Sequence, residues 1–221
     1  KDKICGFLGD LTNMETGFIF KEFFDRTLDI NNYESRNTTR FTDNSNRENY
    51  LFNSTINGIE ETDLIFLIGT NPRFESTILN ARIRKAHLNN NIKIISSNNV
   101  GDLTYPYDKL DGKTQTIKDI IEGNHNYSQD ILSSKKPMFI IGESFLNSKS
   151  ASYLFYSIKE FLLKNNKYNK EWNPINILSV DAATVGNFDL DIICESSDLI
   201  KDLDDNKFDI VYLLGQDNLN F

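Results

Sequence analysis

Apolar residues are laid out along this chain in two patterns. Unbroken runs at Ile4 to Leu8, Leu64 to Ile68 and Pro137 to Ile141 read as short strands buried on both faces, and Phe208 to Leu214 reads as a final strand. Asn91 to Ser97, built around Ile92, Ile94 and Ile95, reads as another strand, and Ile175 to Val180 as a strand or a short helix. Between them, apolar residues recur every three or four positions. Leu154, Phe155, Ile158, Phe161 and Leu162 predict an amphipathic helix over Ala151 to Lys164. Thr114 to Ile121 and Ser128 to Leu132 predict short helices separated at Gly123, and Ser196 to Leu203 another. Thr12, with Glu15 three residues on, reads as a capping box opening a helix that carries Phe18, Ile19 and Phe23 to about Leu28.

The stretch from Asp63 to His87 combines both patterns. A strand-like run is followed by Gly69, a polar turn, Pro72 and a helical segment with Ile78, Ala81, Ile83 and Ala86 on one side. Repeated alternation of strand, loop and helix predicts an α/β fold of Rossmann-like layers, a mostly parallel sheet with helices on both faces. In such sheets ligands bind beyond the carboxyl ends of the strands, which makes the turn after Ile68 the first place to look for a site.

Glu34 to Asn49 is polar and aperiodic, the pattern of a loop, and Asn98 to Gly112 is a second long loop carrying Asp102, Tyr105, Pro106, Tyr107 and Asp108. The Tyr105 to Asp108 portion reads as a packing and interface element. Asn53-Ser54-Thr55 matches a glycosylation acceptor with no secretory context to support it.

The 221 residues suffice for one large α/β domain or two small halves. The chain begins at Lys1 and stops seven residues after Leu214, the ends expected of a piece of a longer polypeptide. A formal net charge of −8 and a pI near 4.9 leave no sustained basic face for nucleic acid. No apolar run approaches the roughly 18 residues a bilayer span needs, so direct membrane insertion is not expected. Asparagine is abundant, at 28 residues, beside common Lys, Ile, Phe and Tyr and scarce Ala; these share A- and T-rich codons, so an organellar or AT-biased gene is expected.

Cys5 and Cys194 each lie in apolar stretches far from His87 and His125, a distribution without metal-ligand spacing. Neither histidine sits near a nucleophile. Asp63 and Asp102 would serve as an acid–base pair only if the fold buried them together. Arg73, Arg82 and Arg84 suit phosphate, yet Glu75 and Glu60 offer them ion pairs. Neither a GxGxxG nor a GxxxxGK[ST] loop is present. Gly follows three strand-like runs, in Ile68-Gly69-Thr70, Ile141-Gly142-Glu143 and Leu214-Gly215-Gln216. Each fits a simple turn; together they suggest a fold that holds something along one sheet edge.

Asn49 to Ile94, containing NPRFE and NARIRK, followed by DLTYPYDKL and KKPMFIIG, resembles the large iron–sulfur (75 kDa) subunits of respiratory complex I, NADH:ubiquinone oxidoreductase. The likeness covers nearly the whole chain. It implies that residues 1–221 are the first part of a carboxyl-terminal domain similar to molybdopterin oxidoreductases. In those enzymes the loop matching Gly69, Thr70, Asn71, Pro72 and Arg73 lies against a pterin dinucleotide. Where they place an acidic residue and Pro-Arg after the next strand, this chain has Ser96-Ser97-Asn98-Asn99, and no metal ligand is in position to meet molybdenum. The resemblance thus implies a vestigial, unoccupied pterin loop, no catalytic residue, and no cofactor or metal in this chain. Iron–sulfur clusters are expected in an amino-terminal ferredoxin-like region of the parent subunit that is absent here. The implied role is structural, in the matrix-side peripheral arm at the mitochondrial inner membrane, with other complex I subunits as partners. The alternative is a pterin- or nucleotide-binding oxidoreductase domain that retains its cofactor.

Overall fold

The computed structural model describes residues 1–35, 40–192 and 199–216. Two compact units divide the chain: residues 1–40 with 181–221, and residues 41–180.

The first unit opens with β1 (Ile4–Leu8) and α1 (Met14–Glu22), which runs on as a wider π-helical turn over Phe23–Leu28 before β2 (Tyr33–Glu34). The second contains α2 (Thr55–Gly58), β3 (Leu64–Ile68), α3 (Pro72–Glu75), α4 (Thr77–Asn90), β4 (Lys93–Ser96) and β5 (Asp108–Lys109). It continues with α5 (Thr114–Ile121), α6 (Asn126–Ser133), β6 (Pro137–Gly142), α7 (Glu143–Leu146), α8 (Ala151–Lys164) and β7 (Ile175–Leu178). Returning to the first unit, the chain forms α9 (Thr184–Asp189), α10 (Leu199–Asp204) and β8 (Ile210–Leu214).

In the second unit five strands lie in the order β5-β4-β3-β6-β7, all parallel. The sheet starts at its centre with β3, grows outward through β4 and β5, then crosses back to β6 beside β3. That reversal is a topological switch point. Every side chain of β3 is buried, and its alternation divides them between two cores. Leu64, Phe66 and Ile68 join Ile95, Phe139, Ile141, Phe155 and Ile158 on one face; Ile65 and Leu67 join Ile83, Ala86, Ile94, Met138 and Ile140 on the other. Burying each such side chain contributes about 1.5–3 kcal/mol, which is why these runs carry no polar residue. The parallel, doubly covered sheet expected from the sequence is therefore present.

In the first unit β1 lies between β2 and β8, again all parallel. Leu8 packs with Phe20, Phe24, Tyr33 and Ile192 on one face, and Cys5 and Phe7 with Leu199 on the other. Cys5 is fully buried and burial pushes its thiol up to about 11, in keeping with an inert packing residue. Cys194 lies outside the described residues.

Several expectations need correcting. Thr12 is not the cap of α1: its hydroxyl donates to the Gly9 carbonyl at 2.8 Å, and Asn13 Oδ1 instead accepts from the Thr16 N–H at 2.8 Å. Phe18 and Ile19 are exposed, whereas Phe20 and Phe24 are buried. In α4 the buried residues are Leu79, Asn80, Ile83 and Ala86, so Ile78 and Ala81 point outward rather than into the core. The three Gly-terminated strands do not share an edge, because Gly69 follows β3 and Gly142 ends β6 in the five-stranded sheet, whereas Gly215 follows β8 of the other. The strand around Ile175 is settled as β7, and α9 was not foreseen. In the 114–204 range, the predicted helix starting at Ser196 is seen from Leu199, its first residues lying outside the described ones.

Candidate functional site

The switch point between β3 and β6 is where the topology and the Gly69 to Arg73 loop coincide. After Ile68 the chain reverses at Gly69, whose φ of +60° is a conformation that side chains strain. A Cβ at Gly69 would lie 2.4 Å from the Phe145 nitrogen. Gly142, ending β6, faces it from the other strand: a Cβ there would lie 2.5 Å from Thr70 Cβ and 2.7 Å from the Gly69 carbonyl oxygen. The two strand-end loops meet backbone to backbone.

The polar side chains of the loop are paired within the chain. The Gly69 N–H donates to Ser97 Oγ at 3.2 Å. Thr70, 3% exposed, donates its hydroxyl to Glu75 Oε2 at 2.5 Å, and the Asn71 N–H donates to Glu75 Oε1 at 2.8 Å. Asn71 caps α3 by accepting the Arg73 N–H at 3.2 Å, while its Nδ2 donates to the Val100 carbonyl at 2.9 Å. Pro72, at the first helical position, has no N–H to satisfy.

Arg73 reaches outward to the loop after β4. Its Nη1 donates to both the carbonyl and Oδ2 of Asp102 at 2.6 Å. The Asp102 carboxyl is held below the usual carboxylate range, chiefly by the Thr104 N–H and then by the Arg73 guanidinium. Deeper in, Asn80 donates to the Leu103 carbonyl at 3.0 Å and accepts the Tyr105 hydroxyl at 2.8 Å, both side chains being buried. Burial, and after it the neighbouring Tyr107, push the Tyr105 phenol above its ordinary range. Tyr107 ties the loop to itself, its single O–H lying 2.9 Å from the Gly101 carbonyl and 3.2 Å from Asn99 Oδ1. NPRFE and DLTYPYD are thus two halves of one clamp, joined through Arg73 and, a little further on, Asn80, while Asn71 ties the same loop at Val100.

The remaining candidates do not converge here. Asp63 sits at the opposite end of β3 from Asp102, accepting from Ser134 Oγ, from the Lys135 N–H at 2.7 Å and from the Lys136 N–H at 3.1 Å. The fold separates the two aspartates and so excludes them as an acid–base pair. Arg82 and Lys85 both bond Glu60, whose carboxyl is lowered first by Lys85 and then by Arg82. Arg73 takes Asp102 rather than the sequence-adjacent Glu75. His87 Nδ1 lies 3.1 Å from the Ile92 carbonyl, and His125 caps α6 by accepting the Tyr127 N–H at 3.3 Å. Asn53 donates to the carbonyls of Glu48 and Ile175 at 2.7 and 2.8 Å, which gives the Asn-Ser-Thr match a structural role. Among the described residues no group of three or more His, Cys, Asp or Glu is placed to hold a metal, and no helix is long and apolar enough to cross a membrane.

Two residues that matter most were not singled out from sequence in these roles. Glu75 turns back to take the loop's donors, and Asn80 is a polar residue on the buried face of a helix. Such an Asn, three residues before Ile83 in the inward stripe, is itself a signal of a buried hydrogen-bond network.

Comparison with known proteins adds independent findings. The molybdopterin oxidoreductase family model matches residues 1–221. The chain is similar to the NADH-ubiquinone oxidoreductase 78 kDa subunit, mitochondrial, of Candida albicans, 36% identical over 174 residues, 78% of this chain and 23% of that protein. It is similar to NADH dehydrogenase (ubiquinone) iron-sulfur protein 1, mitochondrial, of Solanum tuberosum, 30% identical over 99% of this chain and 29% of that protein. To the NADH-ubiquinone oxidoreductase 75 kDa subunit of Reclinomonas americana it is 31% identical over 99% of this chain and 33% of that protein. The chain therefore spans about a quarter to a third of the length of these curated relatives.

Proposed function

We propose, for a chain that belongs to the molybdopterin oxidoreductase family, that it is a cofactor-free structural domain of respiratory complex I. Its place would be the matrix-side peripheral arm at the mitochondrial inner membrane, supporting the part of the 75 kDa subunit that holds iron–sulfur clusters. The assembly reading draws on the printed identities of its relatives, which are NADH-ubiquinone oxidoreductase subunits.

The cofactor-free reading is carried by one observation: the Thr70 hydroxyl, the Asn71 N–H and amide, and the Arg73 Nη1 are turned to the chain's own acceptors. Glu75 takes the Thr70 hydroxyl and the Asn71 N–H, where a phosphate would need them free. Arg73, the planar cation best suited to a phosphate, is committed to Asp102. The space between the two strand ends is filled by Thr70, Gly142 and Phe145. As arranged, these residues do not fit a pterin dinucleotide. Ser96-Ser97-Asn98-Asn99, at the end of β4, offers no acidic or guanidinium group to hold a nucleotide.

Two measurements on the assembly isolated from its source membranes test this. Native electrophoresis with detection of the chain should place it in a band with NADH dehydrogenase activity; migration alone refutes the assembly reading. Oxidation of that band's extract to fluorescent pterins, with molybdenum measured alongside, should yield neither in proportion to the chain. Stoichiometric pterin or molybdenum would establish the alternative, a domain that retains its cofactor.

A further inference from the structure

α4 is fastened to the domain by one face only. Leu79, Asn80, Ile83 and Ala86 are buried, and the outward face keeps Ile78 and Leu88 at 73% and 69% exposure. Ile78, Ala81, Lys85 and Leu88 are all exposed and follow one another at steps of three, four and three residues. That alternation sets side chains in a single line along a helix, the seam into which a second helix packs. Phe74, on α3 just before it, is 80% exposed.

The charge of this face is equally distinct. Within a chain of net charge −8, the fourteen residues of α4 carry Arg82, Arg84 and Lys85 and no carboxylate. Glu60 answers Arg82 and Lys85 together, one carboxylate for two cations. The Arg84 side chain makes no ion pair or hydrogen bond among the described residues. The surface left over is a narrow line of Ile78, Ala81 and Leu88 interrupted by Lys85, with the guanidinium of Arg84 beside it and two cations sharing Glu60.

We propose that the outer face of α4 is the docking surface for an acidic, amphipathic α-helix of another protein in the assembly. The line of knobs fixes the occupant as a helix, and the surplus cations beside it select carboxylates. A second copy of this chain would oppose Arg84 and Lys85 to their own kind. A bilayer surface needs a broad apolar face, whereas this helix has its main apolar face turned into the core. The inference deepens the assembly reading and rests on it.

Carbodiimide cross-linking of the isolated assembly, combined with hydroxyl-radical labelling of Phe74, Ile78 and Leu88, tests the proposal. Lys85 is expected to link to an Asp or Glu in a helical segment of a different subunit. Ile78 and Leu88 are expected to be labelled severalfold less than in the free chain. Arg84→Glu should lower the yield of that link severalfold, and Arg84→Lys should preserve it; the site is exposed, so neither disturbs the core. Recovery of only the internal Lys85 to Glu60 link, a link to a second copy, equal labelling in the two states, or labelling of α4 by a lipid-borne photoreagent each overturns it. In the same preparation, a chain that migrates alone defeats the assembly reading as well, whereas a chain within the assembly and bare at α4 defeats this proposal only.

Discussion

Replacing Gly142 by Ala tests the central geometric statement, that the loops ending β3 and β6 meet backbone to backbone. Gly142 has φ −109° and ψ 178°, extended values any residue adopts, so the substitution introduces no backbone strain. In the folded chain it adds one methyl group placed 2.5 Å from Thr70 Cβ, 2.7 Å from the Gly69 oxygen and 3.0 Å from Thr70 Cα. Carbon atoms in contact prefer about 3.5–4.0 Å, so the loops must separate by roughly 1 Å. They resist this, because β3 and β6 are hydrogen-bonded neighbours as far as Ile68 and Ile141, and Thr70 is tied to Glu75. Overpacking of this kind costs about 1–3 kcal/mol. The lost freedom of the unfolded chain returns about 0.4–1 kcal/mol. A net destabilisation of about 1–2 kcal/mol follows, a fall of roughly 2–8 °C in Tm for a chain of this length. Urea unfolding followed by Trp172 fluorescence reads the effect directly, since Trp172 is the single tryptophan and is buried in the 41–180 unit. The midpoint should drop at unchanged m. Combined with Thr70→Gly, the cost should be less than additive, because the second change removes the atom the methyl strikes. A Gly142→Ala chain within about 0.5 kcal/mol of the parent would refute the packing of the switch point.

Other outcomes follow from individual contacts. Tyr105→Phe leaves Asn80 Oδ1 buried without its donor and should cost about 1–3 kcal/mol in urea unfolding; a neutral result would place water at that hydroxyl. Asn71→Ala removes a helix cap and the tie to Val100, so about 0.5–2 kcal/mol of stability should be lost, with faster amide exchange across 98–104. Exchange unaltered there would show that the loop does not depend on the clamp. At Asp63, burial pushes the carboxyl up, yet donors from Ser134, Lys135 and Lys136 outweigh it and hold the group below its ordinary range. Its contribution is complete above the unfolded value of about 3.9 and drains away as pH falls through the lower folded value. Asp63→Asn should therefore flatten the acid limb of the stability curve below about pH 4, and a limb of the same slope contradicts the assignment. Cys5, fully buried and with its thiol pushed up to about 11, should alkylate far more slowly in the folded chain at pH 8 than in urea, as followed by peptide mass spectrometry.

The sequence alone determined the parts whose cause is local. A strand covered on both faces must be apolar at every position, so Leu64 to Ile68 and Pro137 to Ile141 announce themselves without reference to their neighbours. The bounds of α8 were legible for the same reason, its inward stripe recurring at helical spacing. NPRFE and DLTYPYD were visible as motifs, and they carried the resemblance that the family match supports. Tertiary structure decided whatever depends on a partner distant in sequence. Asn80 is buried in preference to Ile78 because Leu103 and Tyr105, 23 and 25 residues away, satisfy its amide, a pairing no periodicity encodes. The same dependence assigns Arg73 to Asp102 rather than Glu75, divides the Gly-ended strands between two sheets, and leaves the apolar line of α4 facing outward. Local composition fixes what an element is, while the free energy of burying a polar group depends on whether a partner meets it there, and that is settled only when the chain closes on itself.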